Sequence, residues 1–182
     1  MTTPFGRAPV LRTVLAALAL VPVQFCGMAG AAQPATPQIL EQWLGTWHGT
    51  GSNSGVEADL TLRFERVLGG RFVRLALANQ IGPPATREQF EGLALYWPEA
   101  PGQLQGSWFD SHGTVYALEA KVFGDTLLVI WRDEKQPGGR SSYRLVPPST
   151  LEVIDSVRAP DGTWREFARY ELRRVAAASP RP

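Results

Sequence analysis

Asp110, Ser111 and His112 are consecutive in the sequence, and together they contain the three side-chain types of a hydrolytic triad. A triad needs the His ring between a nucleophilic hydroxyl and an orienting carboxylate, and adjacent residues of a tight turn cannot easily reach that geometry. The segment is more typical of a β-hairpin turn, in which Asp110 accepts hydrogen bonds from the backbone and Gly113 adopts a positive φ. We therefore predict no catalytic residues here.

His48 and His112 are the two histidines of the chain, and Cys26 is its one cysteine. Metal sites usually require three or four ligands from His, Cys or carboxylate side chains. The sequence contains no His-x-x-x-His or Cys-x-x-Cys spacing, no Gly-x-Ser-x-Gly elbow and no phosphate-binding glycine loop. We expect neither a metal site nor a cofactor.

Glycine, proline and aspartate turns divide the chain after Gly45 into about ten segments of strand character, spaced about ten to twelve residues apart. Residues 57–65 alternate most clearly between apolar and polar side chains, as a strand with one buried and one solvated face does. Residues 37–44 before them have the apolar spacing of a short helix. The pattern predicts an all-β fold, an antiparallel up-and-down β-barrel, with a two-sheet sandwich as the alternative.

Residues 1–32 show the pattern of a secretory signal peptide. Arg7 and Arg12 precede an apolar run at 14–23, and small residues follow at 29–32. The run of about ten apolar residues is too short for a membrane span of about twenty. We expect cleavage after Ala31 or Ala32, and a periplasmic or secreted mature protein without a transmembrane segment.

Acylation of Cys26, as in a lipoprotein, is the alternative at this end, and the bulky Phe25 before it disfavours that processing. Cleavage near Ala32 would remove Cys26 and leave a mature chain without a disulfide. The sequence then predicts this organisation: a signal peptide at 1–32, a tether at 33–37, one barrel domain at 38–175 and a disordered tail at 176–182.

The chain is long enough, at 182 residues, for one domain with a real hydrophobic core. Its 18 Lys and Arg residues nearly balance its 17 Asp and Glu residues. A nucleic-acid surface needs a basic surplus on one face, so the composition argues against a nucleic-acid partner.

Alternate-residue counting places two carboxylates, Asp155 and Glu166, on the inner faces of the last two strands. A carboxylate inside a barrel is costly unless it is paired or hydrated, and Arg74 and Arg132 are its possible partners by the same count. Three interpretations remain open: a polar patch in a ligand cavity, a position near an open rim, or a bulge that reverses the count.

Tryptophan residues occur on several different strands, where they either fill the core or form the wall of a cavity for an apolar or planar ligand. His112 is expected at a barrel mouth. The candidate ligand-binding residues are Trp47, Trp108, His112, Tyr116, Trp131, Asp155, Trp164 and Glu166.

Four short blocks carry a family resemblance. Residues 44–51 (LGTWHGTG) are similar to the opening of small lipocalin-like barrels. Residues 66–72 (RVLGGRF), 91–94 (EGLA) and 108–113 (WFDSHG) resemble successive blocks of the bacterial domain of unknown function 1579 family. This resemblance implies a lipocalin-like, calycin-type β-barrel with no established activity.

Nitrobindins share the opening block and bind haem through a histidine on a late strand. Here neither histidine lies after Gly113, and Arg144, Arg165 and Arg169 occupy the later region instead. The resemblance therefore does not extend to haem.

Together these observations favour an exported barrel that binds a small apolar or amphipathic molecule in its lumen over an enzyme. One alternative is an enzyme that uses interior carboxylate, Arg or Tyr groups such as Asp155, Glu166 and Tyr116. Another is a non-catalytic interaction module of the cell envelope, which would present a large exposed apolar patch.

Overall fold

One short helix and ten strands are the regular elements of residues 38–132, 138–146 and 149–176, the part of the chain described by the computed structural model. The predicted signal peptide and tether lie outside the described residues, as does the predicted tail after Ala176, so these assignments stay predictions. The elements are α1 Gln38–Trp43, β1 Gly45–Asn53, β2 Val56–Val67, β3 Phe72–Ile81, β4 Glu88–Ala100, β5 Gln103–Asp110, β6 Val115–Phe123, β7 Thr126–Arg132, β8 Gly139–Val146, β9 Thr150–Arg158 and β10 Trp164–Arg174.

Every strand pairs antiparallel with its neighbours in sequence, and β10 pairs with β1 to close the barrel. The predicted up-and-down barrel with a short preceding helix is confirmed. The two-sheet sandwich is wrong, because β1 pairs with both β2 and β10 and the sheet is continuous around the barrel. The described residues contain no helix with the length and apolar content that a membrane span requires.

Strand β2 shows how the sequence determines the inner face. Leu60, Leu62 and Phe64 are buried, whereas Arg63 between two of them is exposed. Period-two alternation sends these apolar side chains into the barrel and the charged ones to water, and burial of apolar surface favours this register over a one-residue slip. The cross-strand partner of Phe64 is Leu75 of β3, which is also fully buried.

Helix α1 fills one end of the barrel. Trp43 is fully buried, and its ring centroid lies 5.8 Å from that of Phe64 and 6.2 Å from that of Tyr143. The indole Nε1 of Trp47 donates a hydrogen bond of 2.8 Å to the carbonyl oxygen of Trp43. We call this end, where the β2–β3, β4–β5, β6–β7 and β8–β9 turns lie, the closed end.

Arg174, the last residue of β10, fixes α1 in place. Its guanidinium donates to the carbonyl oxygens of Gln42 and Leu44 and lies 4.3 Å from the ring centroid of Trp47. A short helix leaves its last carbonyls without intrahelical partners, and this arginine satisfies two of them. The closed end is therefore held by residues from both ends of the barrel sequence.

Candidate ligand-binding site

The interior of the barrel contains a cavity of about 650 Å³ that extends to the end opposite α1. This volume is typical of small-molecule sites. The floor of the cavity is formed by Tyr96, Ser141, Tyr143, Asp155 and Tyr170, among others. Its mouth lies among the β1–β2, β3–β4 and β5–β6 turns and includes Asn53, Ile81, Glu88, Phe90, Asp110 and His112.

Four aromatic rings of the cavity wall lie against glycines of a neighbouring strand. A Cβ atom added to any of these glycines would meet the ring at 3.0 Å or less. The rings therefore lie flat on the wall instead of projecting across the barrel, which keeps the lumen open. The pairs, with the distance from the added Cβ, are Gly51 with Tyr170 (2.7 Å), Gly92 with Trp108 (2.1 Å), Gly106 with Tyr96 (3.0 Å) and Gly139 with Trp131 (2.1 Å).

Asp155 of β9 faces the cavity among aromatic side chains. Burial raises the pKa of its carboxyl group from 3.8 to about 6, and a hydrogen bond with the buried Ser141 opposes part of this rise. The hydroxyl of Ser141 also accepts a hydrogen bond of 3.3 Å from Trp131 Nε1. Desolvation thus dominates at Asp155, and a carboxyl group of this pKa exchanges its proton near neutral pH.

The two arginines predicted as partners of Asp155 form ion pairs with other carboxylates. Arg74 pairs with Glu65, and Arg132 Nη2 lies 3.7 Å from Glu119. These residues belong to the outer face, so the predicted pairing is wrong. Asp155 instead has the neutral Ser141 as its hydrogen-bonding partner.

Three tyrosines near Asp155 remain protonated phenols. Burial raises the pKa of Tyr96, Tyr143 and Tyr170, and the negative charge of Asp155 raises each of them further. Tyr143 is also raised by the nearby Tyr96. The cavity floor therefore combines one ionisable carboxyl group with neutral hydroxyl groups that can donate or accept hydrogen bonds.

Asn79 brings a buried amide to the same wall. Its Nδ2 donates to the hydroxyl oxygen of Tyr170 at 2.7 Å, and Asn53 Nδ2 donates to that oxygen at 3.3 Å. Asn79 is only 5% exposed, and its Oδ1 has no hydrogen-bond partner among the described residues. A buried polar atom without a partner is costly, so this oxygen is suited to a bound molecule that donates a hydrogen bond.

The hairpin turn after β5 shapes the mouth. Asp110 Oδ1 accepts hydrogen bonds of 3.0 Å from the backbone N–H groups of His112 and Thr114, and Gly113 has a φ of 80°. This confirms the predicted turn. Trp108 Nε1 donates to Asp110 Oδ2 at 3.1 Å. Partial burial acts to raise the pKa of Asp110, but these hydrogen bonds outweigh it and hold the pKa below its ordinary value.

His112 lies at the mouth, as predicted. Its ring centroid is 5.2 Å from that of Phe90, which stacks on Trp108 at 6.4 Å. Its Nε2 lies 3.9 Å from the carboxylate of Glu88, and both side chains are exposed. Within the described residues, no three His, Cys, Asp or Glu side chains gather closely enough to hold a metal ion.

Five of the eight predicted site residues line the cavity: Trp108, His112, Tyr116, Trp131 and Asp155. The rings of Tyr116 and Trp131 lie 5.2 Å apart on its wall. Whether any of these residues contacts a ligand stays a prediction, but the barrel does place them around one space.

The other three predicted site residues lie elsewhere. Trp47 is buried beside α1 in the filled part of the core. Trp164 and Glu166 are on the outer surface, where Trp164 stacks with Arg140 at 4.6 Å and Glu166 pairs with Arg169 at 2.7 Å. Their predicted inward placement is wrong, because the register of β10 against β9 shifts between Glu166 and Ala168. One extra residue reverses the alternation on one side of the bulge.

Five important wall residues were not among the predicted site residues: Asn79, Tyr96, Ser141, Tyr143 and Tyr170. The tryptophans alone do not indicate them, but the glycines inside strands do. Glycine weakens a strand unless something needs the space of its side chain. An inward-facing glycine opposite an aromatic residue was therefore the available signal.

Part of the outer face is apolar. Leu93, Phe109 and Val115 are directly paired across β4, β5 and β6, and are 36%, 47% and 55% exposed. This cross-strand row is the described feature that bears on the interaction-module alternative.

No family model and no curated protein matches the chain, so the resemblance to the domain of unknown function 1579 family stays a prediction. Solved structures do match. Rv2717c from M. tuberculosis is 16% identical with a TM-score of 0.57, over 78% of this chain and 100% of that one. An S-type phycobiliprotein lyase from Guillardia theta is 8% identical with a TM-score of 0.55, over 76% and 92% of the two chains. At these identities the likeness concerns the fold alone: this chain folds, as those two do, into a lipocalin-like barrel, here a closed antiparallel one.

Proposed function

We propose that the barrel binds a small hydrophobic or amphipathic molecule in its lumen. The observation that carries this proposal is the cavity of about 650 Å³, which is closed at one end by α1 and open at the other. Its wall combines aromatic and aliphatic side chains with a few convergent polar groups, the usual composition of a small-molecule site.

The ring-on-glycine pairs support the proposal. A barrel of this size can be filled by its own side chains, and bulky aromatic residues would then project into the centre. Here the rings of Tyr96, Trp108, Trp131 and Tyr170 lie along the wall instead. The described side chains thus leave the lumen open rather than packed.

A neutral fluorescent dye tests the proposal with two matched variants. Val129 is buried on the cavity wall, whereas Val115 is exposed on the outer face of a neighbouring strand. Val129→Trp adds an indole inside the lumen, and Val115→Trp adds the same group outside. Nile red titration of ligand-free protein is expected to show one saturable site in the wild type and in Val115→Trp, and its loss in Val129→Trp.

Far-UV circular dichroism establishes that both variants remain folded barrels. Equal dye binding by folded Val129→Trp and by Val115→Trp would contradict a lumenal site. The proposal would be rejected if the wild type did not bind the dye and if native mass spectrometry found no apolar molecule carried through purification.

Asp155 favours a second candidate function, acid–base catalysis in the same cavity. Its pKa of about 6 suits a group that gives and takes a proton near neutral pH, and three phenols lie within its field. The structural likeness to a phycobiliprotein lyase supports the idea that barrels of this kind serve in enzymes. Glu166, the other carboxylate of this hypothesis, has no part in it because it faces outward.

Comparison of wild type with Asp155→Asn tests catalysis. Each protein is incubated with a small-molecule extract of its own source, and the mixture is compared by mass spectrometry before and after. Catalysis requires a compound that the wild type consumes and the variant does not. A compound that is bound by the protein, but whose total amount is the same before and after incubation, indicates binding without turnover.

A further inference from the structure

The charged groups of the cavity wall are mainly acidic. Asp155 lies at the floor, and Glu88 and Asp110 lie at the mouth. No lysine or arginine lines the cavity in the part of the chain that the structure describes, and His112 at the rim is its one basic side chain there. An anionic ligand would meet like charges in a partly enclosed space, whereas a cation would be attracted.

Asp155 is the strongest element of this charge pattern. It is enclosed near Tyr96, Tyr143 and Tyr170, and its hydrogen-bonding partner Ser141 is neutral. An enclosed carboxylate without a cationic partner is unfavourable, and a ligand that supplies the cation removes that disadvantage. The folded protein thus leaves a place for one positive charge at the cavity floor.

The aromatic wall adds a second, independent attraction. The rings of Tyr96, Trp131, Tyr143 and Tyr170 surround the floor. The faces of tyrosine and tryptophan rings attract organic cations, most strongly where water is displaced. Among the described residues, arginine stacks on tryptophan at Trp47 and at Trp164, and neither tryptophan lines the cavity.

The unpartnered oxygen of Asn79 provides the third observation. Asn79 is nine-tenths buried on the cavity wall and is hydrogen-bonded to Tyr170, which itself lies within the field of Asp155. Its Oδ1 accepts no hydrogen bond from the described residues. This oxygen needs an N–H or O–H donor, and a protonated amine carries N–H groups together with its charge.

We propose that the lumen selects an amphipathic amine, with its protonated nitrogen beside Asp155 and its apolar part along the aromatic wall toward the mouth. This inference rests on the proposed lumenal binding and names the chemical class of the ligand. It excludes fatty acids and other carboxylate amphipaths as preferred ligands.

Decylamine, decanol and decanoate test the proposal, because they share one chain length and differ in the charge of the head group. Binding is measured by displacement of Nile red at about pH 8, where both the amine and Asp155 are charged. Decylamine is expected to bind at least about tenfold more tightly than decanol, and decanoate more weakly than both. Asp155→Asn is expected to weaken decylamine binding by at least about tenfold and to leave decanol binding unchanged.

Two controls isolate Asp155. Glu119→Gln makes the same chemical change on the outer face, opposite Arg132, and is expected to alter none of the three affinities. Lowering the pH to about 5 protonates Asp155 and should therefore reduce the advantage of decylamine over decanol. Tyr96, Tyr143 and Tyr170 stay neutral at both pH values, so they do not contribute to this change. Three other titratable side chains, those of His112, Glu88 and Asp110, face the cavity at its mouth. The part of the pH effect that disappears in Asp155→Asn is therefore the part due to Asp155.

The outcomes separate this inference from the function on which it rests. If none of the three compounds displaces the dye, and no dye site exists, both proposals fail. If decanol or decanoate binds as tightly as decylamine, or if Asp155→Asn binds decylamine as the wild type does, lumenal binding stands and amine selection is refuted. The wild-type comparison of the three compounds decides amine selection even if Asp155→Asn does not fold.

Discussion

Replacement of Asp155 by Asn should stabilise the ligand-free protein at alkaline pH and leave its stability unchanged in acid. The folded state raises the pKa of this carboxyl group from 3.8 to about 6 by burying it. The folded protein therefore holds a proton that the unfolded chain has already released, and stability falls as the pH rises between these two values. Well below pH 3.8 the group is neutral in both states and contributes no penalty, and at about pH 4 only a small part of the penalty is present.

The size of the penalty follows from the shift. At about 1.4 kcal/mol for each pKa unit, a rise from 3.8 to about 6 corresponds to at most about 3 kcal/mol above pH 6. Part of the side chain is accessible from the cavity, where water lowers the cost of the charge, so a gain of about 1–3 kcal/mol is expected for Asp155→Asn at about pH 8.

Urea unfolding of wild type and Asp155→Asn, followed by tryptophan fluorescence at about pH 4 and about pH 8, measures this difference directly. The exposed Glu119→Gln serves as the control for removal of one carboxylate. A stability difference that is the same at both pH values, or a variant less stable than the wild type at pH 8, would refute the assignment of Asp155 as a desolvated carboxyl group.

Two further substitutions probe the closed end and the wall. Trp43→Ala is expected to lower the free energy of unfolding by about 3–5 kcal/mol, because the indole is fully buried against Phe64. Urea denaturation measures this loss. A change below about 1 kcal/mol would show that α1 is not part of the core. Gly92→Ala places a Cβ 2.1 Å from the Trp108 ring and should cost about 1–3 kcal/mol, as well as the hydrogen bond from that ring to Asp110. In a Trp108→Ala background the same alanine should cost little, and a full additive loss there would contradict the ring-on-glycine contact.

Much of the fold could be predicted because each turn carries its own signal. Gly69 and Gly70 both have a positive φ in the β2–β3 turn, and the alternation of β2 places Leu60 and Leu62 inside as expected. These features depend on neighbours within a few residues, which period-two counting can detect. The closure of β10 on β1 followed from the need to remove sheet edges rather than from any motif.

The candidate site could be predicted only in part, because its geometry depends on contacts between distant segments. Alternation alone did not locate the bulge after Glu166, although its extra residue, Phe167, is an aromatic residue that lines the cavity. The partnership of Asn79 with Tyr170 joins residues 91 positions apart. Asp155 was correctly placed inside, but the arginines assigned to it were not: Arg74, for example, lies between the buried Val73 and Leu75 and therefore points outward.

Closure of the barrel has a consequence for the order of folding. Strand β1 takes β10 as one of its two partners, and Arg174 at the end of β10 holds the helix that precedes β1. Until the last strand is available, β1 and β9 each expose an unpaired edge, α1 lacks the hydrogen bonds from Arg174, and Asn79 lacks its partner Tyr170. Such pairing between the extremes of a sequence is slow to form, so the barrel should assemble late and as one cooperative unit, and a chain that ends before β10 should have no ligand cavity at all.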